Sequence, residues 1–144
     1  MSLKIYGASA SPPFRAVLKC AKVLEIDLKV QTIDFINGEH LSLKKTTDFF
    51  LADSHAINGY LIGKFGKEND PLYPKNDIKR RALIDHRLHL DSSIIAAKGL
   101  QITRPLNYHR LKPTQQSLDD LKEAFGFLEK QLDSNYIVGK IPCL

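Results

Sequence analysis

Ser11-Pro12-Pro13-Phe14-Arg15-Ala16-Val17-Leu18, close behind the apolar run Leu3-Lys4-Ile5-Tyr6, sets a hydroxyl at the junction of a strand and a helix. Proline lacks a backbone N–H and has a fixed φ, which suits the first helical position, and a serine before it suits the N-cap. Phe14, Val17, Leu18, Ala21 and Leu24 recur at helical spacing, so a helix runs from Pro12 to about Leu24 with one apolar face. Leu28-Lys29-Val30-Gln31-Thr32-Ile33-Asp34 follows, partly alternating and rich in β-branched residues, as a second strand. Strand, helix and strand within about 30 residues read as a βαβ unit, whose strands lie parallel. Ser11 then has two readings. It caps the helix, or its hydroxyl faces a ligand, because a helix N-terminus favours an anion beside it.

Outward from that unit, Asp48-Phe49-Phe50-Leu51-Ala52 supplies a candidate further strand. Asp53-Ser54 opens a helix through His55-Ala56-Ile57 to Phe65, stopped by Gly66 as its C′ residue. Residues 67–76, polar and carrying Pro71 and Pro74, read as a linker. Asp77 caps a helix to about Ala97 with Ile78, Leu83, Ile84, Leu88, Ile94 and Ile95 as its apolar surface. A last helix from about Thr114 to Leu132 carries the clearest stripe of the chain: Leu118, Leu121, Phe125, Leu128 and Leu132, suited to packing inside a bundle. Tyr136-Ile137-Val138-Gly139 reads as an extended segment after it. A small α/β unit followed by helices results.

Composition narrows the function classes. The 144 residues are 43 % hydrophobic and 26 % charged, as in ordinary globular proteins, and no apolar run is long enough for a membrane span. Cys20 and Cys143 make no disulfide framework, which points to a reducing cytoplasm. Cys143 stands second from the end, outside the prenylation pattern. The net charge of +5 is scattered over Lys44-Lys45, Lys79-Arg80-Arg81 and Lys140, which argues for a solvated basic surface and against a nucleic-acid partner. His86 and His89 have no third ligand at metal spacing, Cys20 reads as a small core residue, and Tyr6 reads as a packing residue of its strand.

Three polar features of the first half fit together: Ser11, the turn Asn37-Gly38-Glu39-His40, and the pair Asp53-Ser54. Two helix N-termini facing one cleft suit a zwitterionic peptide, with N–H groups for a carboxylate and Asp53 for an ammonium. With these residues in view, the sequence resembles the cytosolic glutathione S-transferases of the insect delta and epsilon classes. The matching stretches are Ser11-Pro12-Pro13-x-Arg15-Ala16-Val17, Asn37-Gly38-Glu39-His40-Leu41, Asp53-Ser54-His55-Ala56-Ile57-x-x-Tyr60-Leu61, Leu72-Tyr73-Pro74-Lys75 and Leu88-His89-x-Asp91-Ser92. They stand in the family's order across most of residues 3–139.

The resemblance implies a thioredoxin-like α/β N-terminal domain over residues 1–66 and an all-α C-terminal domain over 77–144. It implies a cytoplasmic detoxification enzyme that uses glutathione as cosubstrate, without a metal, to conjugate small hydrophobic electrophiles, and a homodimer as the family's usual assembly. Ser11 matches the catalytic serine whose hydroxyl donates to the glutathione thiolate. His40 matches the histidine near the glycyl end. Asp53 and Ser54 match the pair that holds the γ-glutamyl ammonium and carboxylate, and His55, next in line, is a further candidate contact.

Two departures keep a second reading open. Family members place a short helix, a loop and a strand opened by a cis-proline between the matches of His40 and Asp53. Here only residues 41–52 intervene, with no proline between Pro13 and Pro71. The C-terminal domain is also expected to be truncated, the chain stopping at Lys140-Ile141-Pro142-Cys143-Leu144 where family members continue with further helices. An incomplete first domain would hold glutathione by its ends and lose much of the benefit of orientation, giving reduced or absent activity. The alternative is therefore a catalytically impaired relative that binds hydrophobic ligands or a partner.

Overall fold

The computed structural model describes residues 3–42 and 49–132, which fall into two compact units, one ending at Lys75 and the other beginning at Asn76. In the first unit strand β1 (Leu3–Gly7) leads to helix α1 (Pro12–Val23), then to strand β2 (Leu28–Thr32), a 3₁₀ turn (Glu39–Leu41) and helix α2 (Ser54–Phe65). The expected βαβ unit forms: β1 and β2 pair in parallel with Leu3 opposite Leu28 and Gly7 opposite Thr32. α1 turns Phe14, Val17, Cys20 and Ala21 inward, and they cluster with Ile5 of β1 and with Leu61 and Ile62 of α2. Burying each of the larger of these side chains contributes about 1.5–3 kcal/mol. Gly7 makes the strand-to-helix turn close, because a Cβ there would fall inside the Phe14 ring.

Among the described residues the sheet has only these two strands. The strand expected over 48–52 is not seen: Asp48 lies outside the described residues, and Phe49 to Ala52 are not extended into any ladder. Phe49 instead lays its ring 4.8 Å from that of Tyr60 on α2. A pair of adjacent aromatics can settle by ring contact, whereas a strand also needs a neighbour for every N–H and C=O.

α2 begins on Asp53, whose carboxylate accepts the Ala56 N–H at 3.0 Å. It stops at Gly66, but with φ −69° and ψ 171°, an extended exit in place of the left-handed C′ that the sequence suggested. The stretch read as a linker is not loose. Asp70 accepts from the backbone N–H of Leu72 and of Lys67, and Leu72 and Tyr73 pack on the core of the first unit.

The second unit holds α3 (Ile78–Leu90), a π turn (Asp91–Ile95), α4 (Ala96–His109) and α5 (Gln115–Glu129). α3 is capped by Asp77 as expected, with Asp77 Oδ1 accepting the Arg80 N–H at 3.0 Å. The helix does not end near Ala97, because the π turn carries it on into α4. In that wide turn the hydroxyls of Ser92 and Ser93 donate back to the carbonyls of Leu88 and His89, satisfying groups the altered ladder exposes. Of the apolar residues assigned to this helix Ile84 is buried and Ile78 is 78 % exposed, and Leu90, which was not among them, is buried as well.

α5 starts on Thr114, whose Oγ1 accepts the Ser117 N–H at 3.2 Å. Its stripe does not form the interior: Leu118 is 44 % and Phe125 51 % exposed, and Ala124 is the residue that α5 buries. α5 packs on α4 and on the π turn. The extended segment read at 136–139, Lys44-Lys45, Lys140 and Cys143 lie outside the described residues.

Candidate functional site at the C-terminal edge of the sheet

Parallel pairing decides which loops meet. Gly7 and Thr32 stand side by side at the C-terminal ends of β1 and β2, and the Ile33 N–H continues the ladder by donating to Gly7 O at 3.1 Å. The segment carrying Ser11 and the segment leading to His40 therefore leave the same edge of the sheet. Ligands of open α/β sheets bind at such an edge.

Ser11 occupies the N-cap of α1 with φ −79° and ψ 119°, yet its side chain makes no capping hydrogen bond. The next two residues narrow its choice of donor. A capping hydroxyl accepts from the N–H of N2 or N3. Pro12 and Pro13 occupy N1 and N2 and have no N–H to offer, so Phe14 alone remains. Asp53, Asp77 and Thr114 all use their side chains as caps. Ser11 does not.

The same prolines qualify the anion argument made from sequence. Two of the N–H groups that usually point out of a helix N-terminus are missing here, which leaves the hydroxyl and the Phe14 N–H as donors of this end. The loop before it is tied down from within: the Ser11 N–H donates to Ala8 O at 2.9 Å, and Arg15 Nη1 donates to Ser9 O at 2.9 Å and Ala10 O at 3.0 Å.

His40 is held by a cluster that sequence reasoning missed. Asp34 Oδ1 accepts the N–H groups of Ile36 and Asn37, Asp34 Oδ2 accepts from Asn37 Nδ2 at 2.7 Å, and the Asp34 N–H donates to Glu39 Oε2 at 2.8 Å. Hydrogen bonds from the Asn37 backbone and side chain, with one from Ile36, hold the Asp34 carboxyl below the usual carboxylate range. Gly38 takes φ +73°, the left-handed turn that lets the 3₁₀ segment follow. His40 then lies with its ring 5.0 Å from that of Phe35, and its buried Nδ1 has no hydrogen-bond partner among the described residues. An acidic residue followed by Asn-Gly at short spacing is the signal that could have marked this turn.

Asp53, not Ser54, is the N-cap of α2; Ser54 is the first helical residue and His55 the second. Asp53 gives one carboxylate oxygen to the Ala56 N–H, and Ser54 brings a hydroxyl and a first-turn N–H to the same helix end. α2 packs on α1 within the first unit.

Other chemistry is quiet. Cys20 is buried, and its thiol is pushed up to about 11, first by burial and then by the charge of Asp70, so it is no nucleophile at neutral pH. Tyr6 is half-buried with Lys4 Nζ 5.7 Å from its ring centroid. His86 Nδ1 lies 3.3 Å from Arg87 Nη1, and no group of three or more metal-ligating side chains stands together among the described residues. A cleft of about 380 Å³ in the second unit, lined by residues such as Gln101, Pro105, Leu111 and Gln116, includes none of the sequence-predicted site residues.

No protein-family model matches the chain. Its similarity to individual proteins is clear. Glutathione S-transferase 1 of Manduca sexta is 35 % identical over 97 % of this chain and 70 % of its own length. The chain belongs to the insect glutathione S-transferases. An epsilon-class glutathione S-transferase of the housefly, Musca domestica, superposes with a TM-score of 0.86 at 31 % identity, over 99 % of this chain and 71 % of the other. A glutathione transferase homologue of Drosophila mojavensis, crystallised with bound glutathione, does so with the same score, identity and coverage. The glutathione S-transferase assignment brings the thioredoxin-like first domain and helical second domain with it.

The moth alignment runs over 156 residues, twelve more than the 144 of this chain, so at least twelve positions of that relative have no counterpart here.

Proposed function

We propose that this chain binds glutathione along the C-terminal edge of the β1–β2 sheet and conjugates its sulfur to small hydrophobic electrophiles. The observation that carries the reading is the Ser11 hydroxyl: it sits at a helix start without serving the helix. A free thiol ionises near 8.5, and lowering that by about two pH units requires about 2.7 kcal/mol of preference for the thiolate. A hydrogen bond to a charged acceptor is worth about 1.5–3 kcal/mol, so one well-aimed hydroxyl is of the right size. The residual dipole of α1 adds a few tenths more.

In this reading the glutathione thiol gives its proton to solvent, and Ser11 Oγ–H donates to the sulfur left behind. The thiolate attacks an electrophilic carbon, a C–S bond forms, and the displaced group departs with the bonding pair. Asp53, with its second carboxylate oxygen, would pair with the γ-glutamyl ammonium. The Ser54 hydroxyl and N–H would hold the adjoining carboxylate at the positive end of α2, with His55 alongside. His40, whose Nδ1 has no partner among the described residues, would meet the glycyl carboxylate. The domain of residues 1–66 carries these contacts, residues 67–76 join it to the helical domain from Asp77, and the electrophile is expected to be apolar. A cytoplasmic setting and a homodimer complete the proposal.

A second reading is favoured by the two-stranded sheet and the gap against the moth relative: a chain that binds apolar ligands or a partner without turnover. One pair of experiments separates the two. Retention on immobilised glutathione followed by conjugation of a generic aromatic electrophile supports the transferase. Binding of an apolar dye with no turnover at any glutathione concentration would leave only the second.

A further inference from the structure

We infer that Arg15 is a positioning residue that fixes the Ser11 hydroxyl by clamping the loop in front of it; the inference rests on Ser11 being the donor to the glutathione thiolate. In most helices an N-cap side chain is oriented by the N–H it accepts, and the Ser11 side chain accepts none. The compensating contact comes from the first turn. Arg15, exposed to solvent, folds its guanidinium back so that Nη1 donates to two successive carbonyls, Ser9 O at 2.9 Å and Ala10 O at 3.0 Å. Its own backbone N–H donates to Ser11 O at 3.1 Å, and the Ser11 N–H closes the turn onto Ala8 O.

The residues just before Ser11 are thus bridged to the residue four places after it, and Ser11 is enclosed between them. Hydrogen bonds from a charged donor are about twice as strong as neutral ones, so an exposed arginine can hold a loop that has little else to hold it. Arg15 spends its side-chain contacts on the carbonyls of Ser9 and Ala10. It acts through Ser11.

The test uses the full chain and three readouts in Arg15→Ala, Arg15→Lys and wild type. First, hydrogen exchange at the Ser11 amide, measured without glutathione, should speed up about tenfold in Arg15→Ala and recover in part in Arg15→Lys. Second, kcat for conjugation should fall about tenfold while KM for glutathione changes less than about twofold. Third, the ultraviolet titration of bound glutathione should show the sulfur ionising about one pH unit higher. Ser11 exchange in Arg15→Ala equal to wild type overturns the clamp. So does faster exchange with an unchanged pH profile and kcat. A wild-type chain that fails to ionise glutathione overturns the transferase reading instead, and the exchange comparison, which needs no tripeptide, still decides whether Arg15 holds the loop.

Discussion

α1 and α2 begin alike and behave differently. Each starts from a small polar residue in extended conformation, Ser11 with ψ 119° and Asp53 with ψ 131°. Asp53 closes its helix by accepting the Ala56 N–H, while Ser11 accepts from no N–H of α1. Both helices carry an N–H at the third helical position, Ala56 in α2 and Phe14 in α1, but α1 opens on two prolines and leaves its serine hydroxyl out of the cap. A side chain released from capping is available for chemistry, and a loop deprived of its cap needs another fastening. The first half of that statement concerns Ser11 and the second Arg15.

The sharpest way to break the comparison is Ser11→Ala. Removing a hydroxyl that serves sulfur and not the helix should lower the conjugation rate about a hundredfold and move stability by less than about 0.5 kcal/mol. A thermal melt that collapses with the rate would return Ser11 to an ordinary cap. At the other helix the pattern should reverse. Asp53→Ala should cost about 1 kcal/mol in denaturant unfolding as well as most of the glutathione affinity, whereas Asp53→Asn keeps the cap and loses only the affinity. Thr114→Ala, also a working cap, should cost the same 1 kcal/mol or so and leave glutathione binding unchanged.

Pro13→Ala is subtler, because it adds a second first-turn N–H beside that of Phe14. The regained cap and the lost rigidity of the unfolded chain are each worth about 0.5–1 kcal/mol and oppose one another, so stability should barely move. The hydroxyl would swing toward the helix, and the rate should fall a few-fold. The smallest effect belongs to Asp34, a carboxylate engaged wholly in structure. Its folded ionisation lies below the unfolded value, so what it contributes is present above the ordinary carboxylate range and lost as pH falls through the folded value. An NMR titration should show the Asn37 amide and side-chain signals drifting only on acidification below about pH 4. Drift near neutrality would assign the turn to some other group.

The first unit was largely legible in the sequence because its signals are local. Serine before two prolines, alternating β-branched residues and an Asp ahead of an apolar run each specify a neighbouring piece of backbone. The turn at 34–40 was visible only as polar residues, since the bonds that shape it join Asp34 to Glu39 across a glycine. The helical unit was less legible. The heptad-like run from Leu118 to Leu132 is a correct sign of a helix but a poor guide to its buried face, which the small Ala124 decides. Helix periodicity says which residues share a side; what lies opposite is settled by partners elsewhere in the chain. The role of Ser11 was legible as a choice between two uses. The direction of its side chain required the structure.

The wide turn at Asp91–Ile95 carries a consequence for how this chain tolerates change in length. A π turn holds one residue more than the α-helix it interrupts. Deleting a residue there would yield a seamless α-helix, yet everything from Ala96 onward would rotate by about 100° about the axis. Lys98 would swing away from Asp120, 3.9 Å distant across the gap to α5, and α4 would turn a different face to its neighbour. Ser92 and Ser93 thus act as the clasp of a dislocation: smoothing it would tidy the backbone and scramble the packing behind it.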